Sequence, residues 1–168
     1  MILRLPSFPR LPSSGCGSVL LENPEFDIVS LADRQTIQND LTDQTKNVWR
    51  AVVHQFPLKI ELIGGVGDAA HAKRTSCHNV IKNAQGQIIE KAKALDIQPI
   101  GIVGSKEFIA LGTRIADWLW ANRVEFGITV QIWQGRIRSI YKKAGEWRPY
   151  FGLNRHNKHI HISVGCNG

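Results

Sequence analysis

The stretch that most restricts how this 168-residue chain can fold lies near its C-terminal end: His156-Asn157-Lys158-His159-Ile160-His161-Ile162-Ser163-Val164. Polar and apolar residues alternate there with a period of two, the pattern of a β-strand with one face in a core. His159 and His161 then point to one side, and Ile160 and Ile162 to the other. Imidazole is a common zinc ligand and the side chain that titrates near neutrality, so a face carrying two of them suggests a metal site or a proton-transfer site. A half-exposed strand that merely happens to carry histidines is the plainer alternative.

The rest of the chain supplies elements for that strand to pack against. Residues 1–26, rich in Pro, Ser and Gly, read as an extended arm, and residues 27–168 as a single domain. Ile37, Leu41, Val48, Trp49, Val52, Val53 and Phe56 recur at helical spacing, giving one amphipathic helix over 33–56 or two joined near 42–45. Residues 58–63 read as a strand that stops at Gly64-Gly65, and 80–89 as a hairpin-like excursion. Ala94-Leu95-Asp96-Ile97 is a short apolar strand with an embedded carboxylate, which costs stability unless it is paired, hydrogen-bonded or metal-bound. Ser105 as N-cap, Glu107 in the first turn and the stripe Phe108, Leu111, Ile115, Trp118 and Leu119 define a helix over 106–123 that Gly127 closes. A strand over 128–133 and a basic, aromatic loop over 142–151 lead into the histidine segment.

Charge is unevenly spread. Residues 1–68 carry 6 Lys and Arg against 8 Asp and Glu, and residues 69–168 carry 15 against 6, so the second part is strongly basic. Such a surface suits an anionic partner: a cell wall, a membrane surface or a nucleic acid. No uninterrupted apolar run approaches the roughly 20 residues needed to cross a bilayer, which argues against an integral membrane protein. Cys16, Cys77 and Cys166 are an odd number without C-x-x-C spacing, and read as neither a disulfide framework nor a cysteine-only zinc site. Prolines at 6, 9 and 12 interrupt the start of the chain, so it lacks the continuous apolar core of a secretory signal.

The polar segment ahead of the hairpin carries two more histidines. Ser76-Cys77-His78, Ala94-Leu95-Asp96 and His159-Ile160-His161 together offer a His/Asp/His set from three elements, the kind of set a catalytic zinc site uses while keeping one position open. In order, the chain reads Gly67-Asp68-Ala69-Ala70-His71, Arg74-Thr75-Ser76-Cys77-His78-Asn79, Ala94-Leu95-Asp96-Ile97, Ile132-Trp133-Gln134-Gly135-Arg136-Ile137, Trp147-Arg148-Pro149-Tyr150 and the terminal histidine segment. This order resembles the zinc peptidases of the D-alanyl-D-alanine carboxypeptidase and hedgehog-type (LAS) group, in particular its phage and bacterial wall-hydrolase branch. The likeness covers about residues 61–164.

The resemblance implies an α+β fold, a small and mainly antiparallel sheet packed against helices with a zinc site on the sheet face. It implies Zn2+ held by His78, Asp96 and His161, and substrate positioned by Ser76, Arg74 and Arg136. Two positions depart from the pattern. Cys77 stands where relatives often have Asp, and is expected to be a small neutral filler; pairing as a nucleophile with His78 is disfavoured because adjacent residues of an extended segment face opposite ways. Lys158 stands where many relatives carry the carboxylate general base, and a protonated lysine cannot accept a proton. The base then falls to His159 first, His156 second and Glu146 third.

The function implied is a monomeric zinc-dependent peptidoglycan peptidase. It would cut an amide bond in stem or cross-link peptides, with its basic half attracted to anionic wall polymers. Synthesis in the cytoplasm with holin-assisted release, as for an endolysin, fits the lack of an evident signal. Two alternatives remain: a noncatalytic wall-binding or virion structural protein retaining the fold, and a basic nucleic-acid-binding module. The last has no recognisable binding motif and no use for three ligand-type residues.

Overall fold

The computed structural model describes residues 39–67, 74–143 and 145–166. The arm at 1–26, the first part of the helix expected over 33–56, Cys16 and the residues 68–71 of the first motif lie outside the described residues.

Helix α1, Asp43–Gln55, begins where Thr42 accepts a hydrogen bond from the Thr45 amide and Asp43 faces the positive end of the helix dipole. Its Val48 and Val52 are fully buried. Strand β1, Ile60–Gly64, follows. The hairpin foreseen over 80–89 is a two-stranded sheet of β2, Ile81–Lys82, and β3, Ile88–Glu90, and leads into β4, Ala94–Pro99. Helix α2, Lys106–Ala121, is capped by Ser105, whose hydroxyl accepts from the Phe108 amide at 3.1 Å. It stops two residues before the expected end, and a short helix α3, Arg123–Phe126, carries the chain to Gly127, whose φ of 65° ends the helical run. Strands β5, Ile128–Trp133, and β6, Arg136–Ser139, form a hairpin across Gln134-Gly135, both at positive φ (50° and 66°), as its tight turn requires. The two-residue β7, Arg148–Pro149, and β8, Ile160–Val164, complete the set.

The main sheet has the order β1-β4-β8-β5-β6-β7, with every neighbouring pair antiparallel. The histidine strand is therefore central, between the Asp96 strand and β5. Its Ile160, Ile162 and Val164 join Leu95 and Ile97 of β4 and the stripe Phe108, Leu111, Ile115, Ala116 and Leu119 of α2 in one core. Trp133 lies so close to α2 that a Cβ on Gly112 would come within 2.2 Å of its ring. Gln131 and Arg138 anchor the same face polarly, each donating to the Ala116 carbonyl at 3.0 Å. Arg138 also pairs with Asp117 and lies over the rings of Trp120 and Trp147. With helices on one face, the period of two leaves Asp96, His161, Val130, Ile132, Ile137 and Ser139 on the other.

The cysteine reading is corrected here. Cys77 and Cys166 form a disulfide across 89 residues of sequence, with Cα atoms 6.1 Å apart. Lys93 explains the approach: its amide donates to the Cys77 carbonyl and its carbonyl accepts from the Val164 amide, both at 2.7 Å, so the two chain segments meet on either side of it. Cys77 is thus neither a neutral filler nor a free thiol beside His78. Pairing at such separation depends on the sheet, and spacing alone does not reveal it.

Candidate metal centre

Sheet register sets the centre of the site. Asp96 lies directly opposite His161 across β4 and β8, so both side chains leave the same face side by side. His78 comes from the loop before the hairpin and is fixed by its own backbone: its amide donates to Ser76 Oγ at 3.2 Å and its carbonyl accepts from Gly67 at 2.8 Å. Asn79 holds the same loop through the Arg74 carbonyl at 2.7 Å, and the disulfide at Cys77 ties it to the end of β8.

Three atoms converge. His78 Nε2 lies 3.1 Å from His161 Nδ1 and 3.3 Å from Asp96 Oδ1, and His161 Nδ1 lies 3.0 Å from Asp96 Oδ1. Donors held about 2.0–2.1 Å from one tetrahedral ion stand roughly 3.3 Å apart, so this triangle fits one face of such a coordination shell. The outer contacts suit the same role. The Gly65 carbonyl, 2.6 Å from His78 Nδ1, can only accept, so Nδ1 carries the hydrogen and leaves the Nε2 lone pair facing the cluster. His161 turns Nδ1 toward the cluster, and its Nε2 lies 3.2 Å from Ser163 Oγ, a hydroxyl that can donate or accept.

Electrostatics agree with a site built around a carboxylate. Burial opposes ionisation of Asp96, yet hydrogen bonds and charge from His161 and His78 hold its carboxyl far below the usual range. For His78 burial likewise opposes the charged form. The Asp96 carboxylate and the Gly65 carbonyl outweigh it and raise the imidazole above its usual 6.5. A cation bound there must displace the proton that the raised His78 pKa favours.

A cleft of about 660 Å3 opens over the cluster. Its walls include Val130, Ile132 and Ile137 from the sheet, Tyr141, Tyr150 and Leu153 from the following loops, and the cations Arg74, Lys142 and Arg148. Ser76 and Arg74 therefore reach the cleft. Arg136 is not among its lining residues: it is exposed and stacks on Trp147 at 5.2 Å. Arg148, unassigned in the sequence reading, does line the cleft. Its register partner is Ile137, a cleft residue, so the two share a face, and its Nε is buried without a hydrogen-bond partner among the described residues.

The two candidate bases sit beside the ligand triangle. His159 Nε2 is 3.5 Å from Asp96 Oδ2, and His159, unlike His156, is not among the residues that line the cleft. His156 is buried, at a positive φ of 55°, fixed where its amide donates to Asn154 Oδ1 and its carbonyl accepts from Gln134. Its ring meets those of Tyr150, His159 and His161 at 5.5, 4.9 and 5.4 Å. Burial first, then the neighbouring imidazoles, push its pKa down to about 4. Lys158 and Glu146 are exposed and neither lines the cleft.

Fold and site together define an α+β protein whose antiparallel sheet carries helices on one face and, in a cleft on the other, a His/Asp group able to hold a metal ion. Residues 37–161 match the model of the family described as VldE, C-terminal domain, and the chain belongs to that family. The matched stretch contains His78, Asp96, His156, His159 and His161. No curated protein and no solved structure matches the chain significantly.

Proposed function

We propose that the chain is a zinc-dependent peptidoglycan peptidase of the LAS type, hydrolysing an amide bond in a wall stem or cross-link peptide. The observation that carries this reading is the triangle of His78 Nε2, Asp96 Oδ1 and His161 Nδ1, 3.0–3.3 Å on a side, on the sheet face beneath an open cleft. The order of motifs along the chain supports it independently. No helix of the described residues is long and apolar enough to cross a membrane.

His78, Asp96 and His161 would hold the zinc, which would supply Lewis acidity to polarise an amide carbonyl and activate water near neutral pH. The chain's own residues do the rest. His159, with Nε2 3.5 Å from Asp96 Oδ2, is the first candidate to take a proton from the attacking water and return it to the leaving amine. His156, whose pKa is pushed down to about 4, is neutral at pH 7 and is the second candidate. Arg74, Lys142 and Arg148 form a cationic wall for the carboxylates of stem peptides, and a guanidinium can grip a carboxylate with two hydrogen bonds. The aromatic rings of Tyr141 and Tyr150 bound the peptide's path.

The test is digestion of purified sacculi, with the released fragments identified by mass spectrometry. Wild type with zinc should release peptides bearing new amino and carboxyl ends, and His161→Ala should release none. Release by His161→Ala at the wild-type rate would overturn the assignment. One observation favours a second reading, a wall-binding or virion structural protein that retains the fold: among the described residues, Asp96 is the sole carboxylate lining the cleft. Zinc bound by wild type, with tight adsorption to sacculi and no fragment release, would select it.

A further inference from the structure

We infer that Asp96 serves two cation positions, the second framed by His156 and His159. This rests on the reading that the first, at His78 and His161, holds a metal. The carboxylate of Asp96 faces two ways: Oδ1 lies against His78 and His161, and Oδ2 turns toward His159 at 3.5 Å. Asp96, His156 and His159 each present a ligand-type atom, and those atoms lie within 4.8 Å of one another. The groups of three share Asp96 alone, so four histidines from two segments surround one carboxylate.

Two features set this second group apart from a chance cluster of polar side chains. His156 Nδ1 is buried with no hydrogen-bond partner among the described residues, and an orphaned buried nitrogen is costly unless a ligand satisfies it. The left-handed backbone of His156, costly for a residue with a side chain, is held by hydrogen bonds at both its amide and its carbonyl, and keeps the ring 4.9 Å from that of His159 and 5.4 Å from that of His161. Two imidazoles and a carboxylate oxygen suit a divalent transition ion such as Zn2+, Co2+ or Mn2+ rather than Ca2+ or Mg2+, which favour all-oxygen shells. A carboxylate bridging two ions is the arrangement of two-metal hydrolytic sites. Filling the second position also occupies the lone pairs of the candidate bases, so the two positions act on one another.

Titration with Co2+, followed by calorimetry and by the visible absorption of the bound ion, tests the inference on the full chain. Wild type should take up two equivalents, the second more weakly. His156→Ala and His159→Ala should each take up one, with the first step unchanged. His161→Ala should lose the tight step. Because a variant can fail by misfolding, electron paramagnetic resonance of the wild type alone gives an independent reading: the signal at two equivalents should be less than twice that at one, through exchange coupling across Asp96. A single equivalent at saturation that vanishes in His161→Ala overturns the second site and leaves the first intact. A single equivalent that survives in His161→Ala and vanishes in His156→Ala overturns the first instead. Two equivalents retained in both His156→Ala and His159→Ala, or a signal that simply doubles, overturns the second site.

Discussion

Opening the Cys77–Cys166 disulfide should destabilise the protein by about 4–5 kcal/mol. The bond closes a loop of 89 residues of separation, and in the chain-entropy description a crosslink of this span removes about 15 cal/mol/K from the unfolded ensemble. That is a large part of the 5–15 kcal/mol typical of a whole domain. The loss reaches the metal centre, because Cys77 precedes His78 and Cys166 follows the His161 strand. The assay is urea unfolding of oxidised wild type and of Cys77→Ser/Cys166→Ser, monitored by tryptophan fluorescence with EDTA present so that metal linkage does not enter. Thiol titration of unreduced, denatured wild type provides the covalent check, with one reactive thiol expected, from Cys16. Three reactive thiols, or a stability difference below about 1 kcal/mol, would refute the reasoning.

Three further outcomes follow from particular contacts. Gly112→Ala should lower stability by about 1–3 kcal/mol in thermal or urea unfolding. The new methyl would fall 2.2 Å from Trp133, and overpacking outweighs the roughly 1 kcal/mol of helix propensity gained. Zinc affinity should rise with pH through and beyond 6.5: the raised His78 pKa means the metal-free protein still carries a proton there that binding must expel, and calorimetry in buffers of different ionisation enthalpy reads its release. Affinity flat between about pH 6 and 8 would contradict that sign. Arg148→Ala should leave zinc content unchanged and raise KM for a stem peptide about tenfold or more, the usual scale for losing one charged hydrogen-bond partner, while Arg136→Ala should change KM little.

The parts of this architecture that local pattern controls were legible in the sequence. Alternation placed β8 and the burial of Ile160 and Ile162 on its core side, and the cap at Ser105 with its apolar stripe placed α2. The isolated aspartate in an apolar strand marked Asp96, and the structure supplies the partners its burial requires. Features that depend on long-range register were not legible. Arg136-Ile137-Arg138-Ser139 alternates cleanly, but nothing local tells which parity faces the cleft; pairing with β5 and β7 turns Ile137 and Arg148 inward and leaves Arg136 on Trp147. The disulfide was missed for the same reason, since Lys93 brings its ends together only once the sheet exists. A second cation position was hidden as well, because His156 gains its inward placement from a left-handed backbone that no periodicity encodes.

The most direct test of the metal centre is an anomalous difference map from crystals grown with zinc and measured across the zinc absorption edge. A peak about 2.0–2.1 Å from His78 Nε2, Asp96 Oδ1 and His161 Nδ1 is the predicted result. Zinc signal elsewhere on the protein, with none at this triangle, would contradict the account.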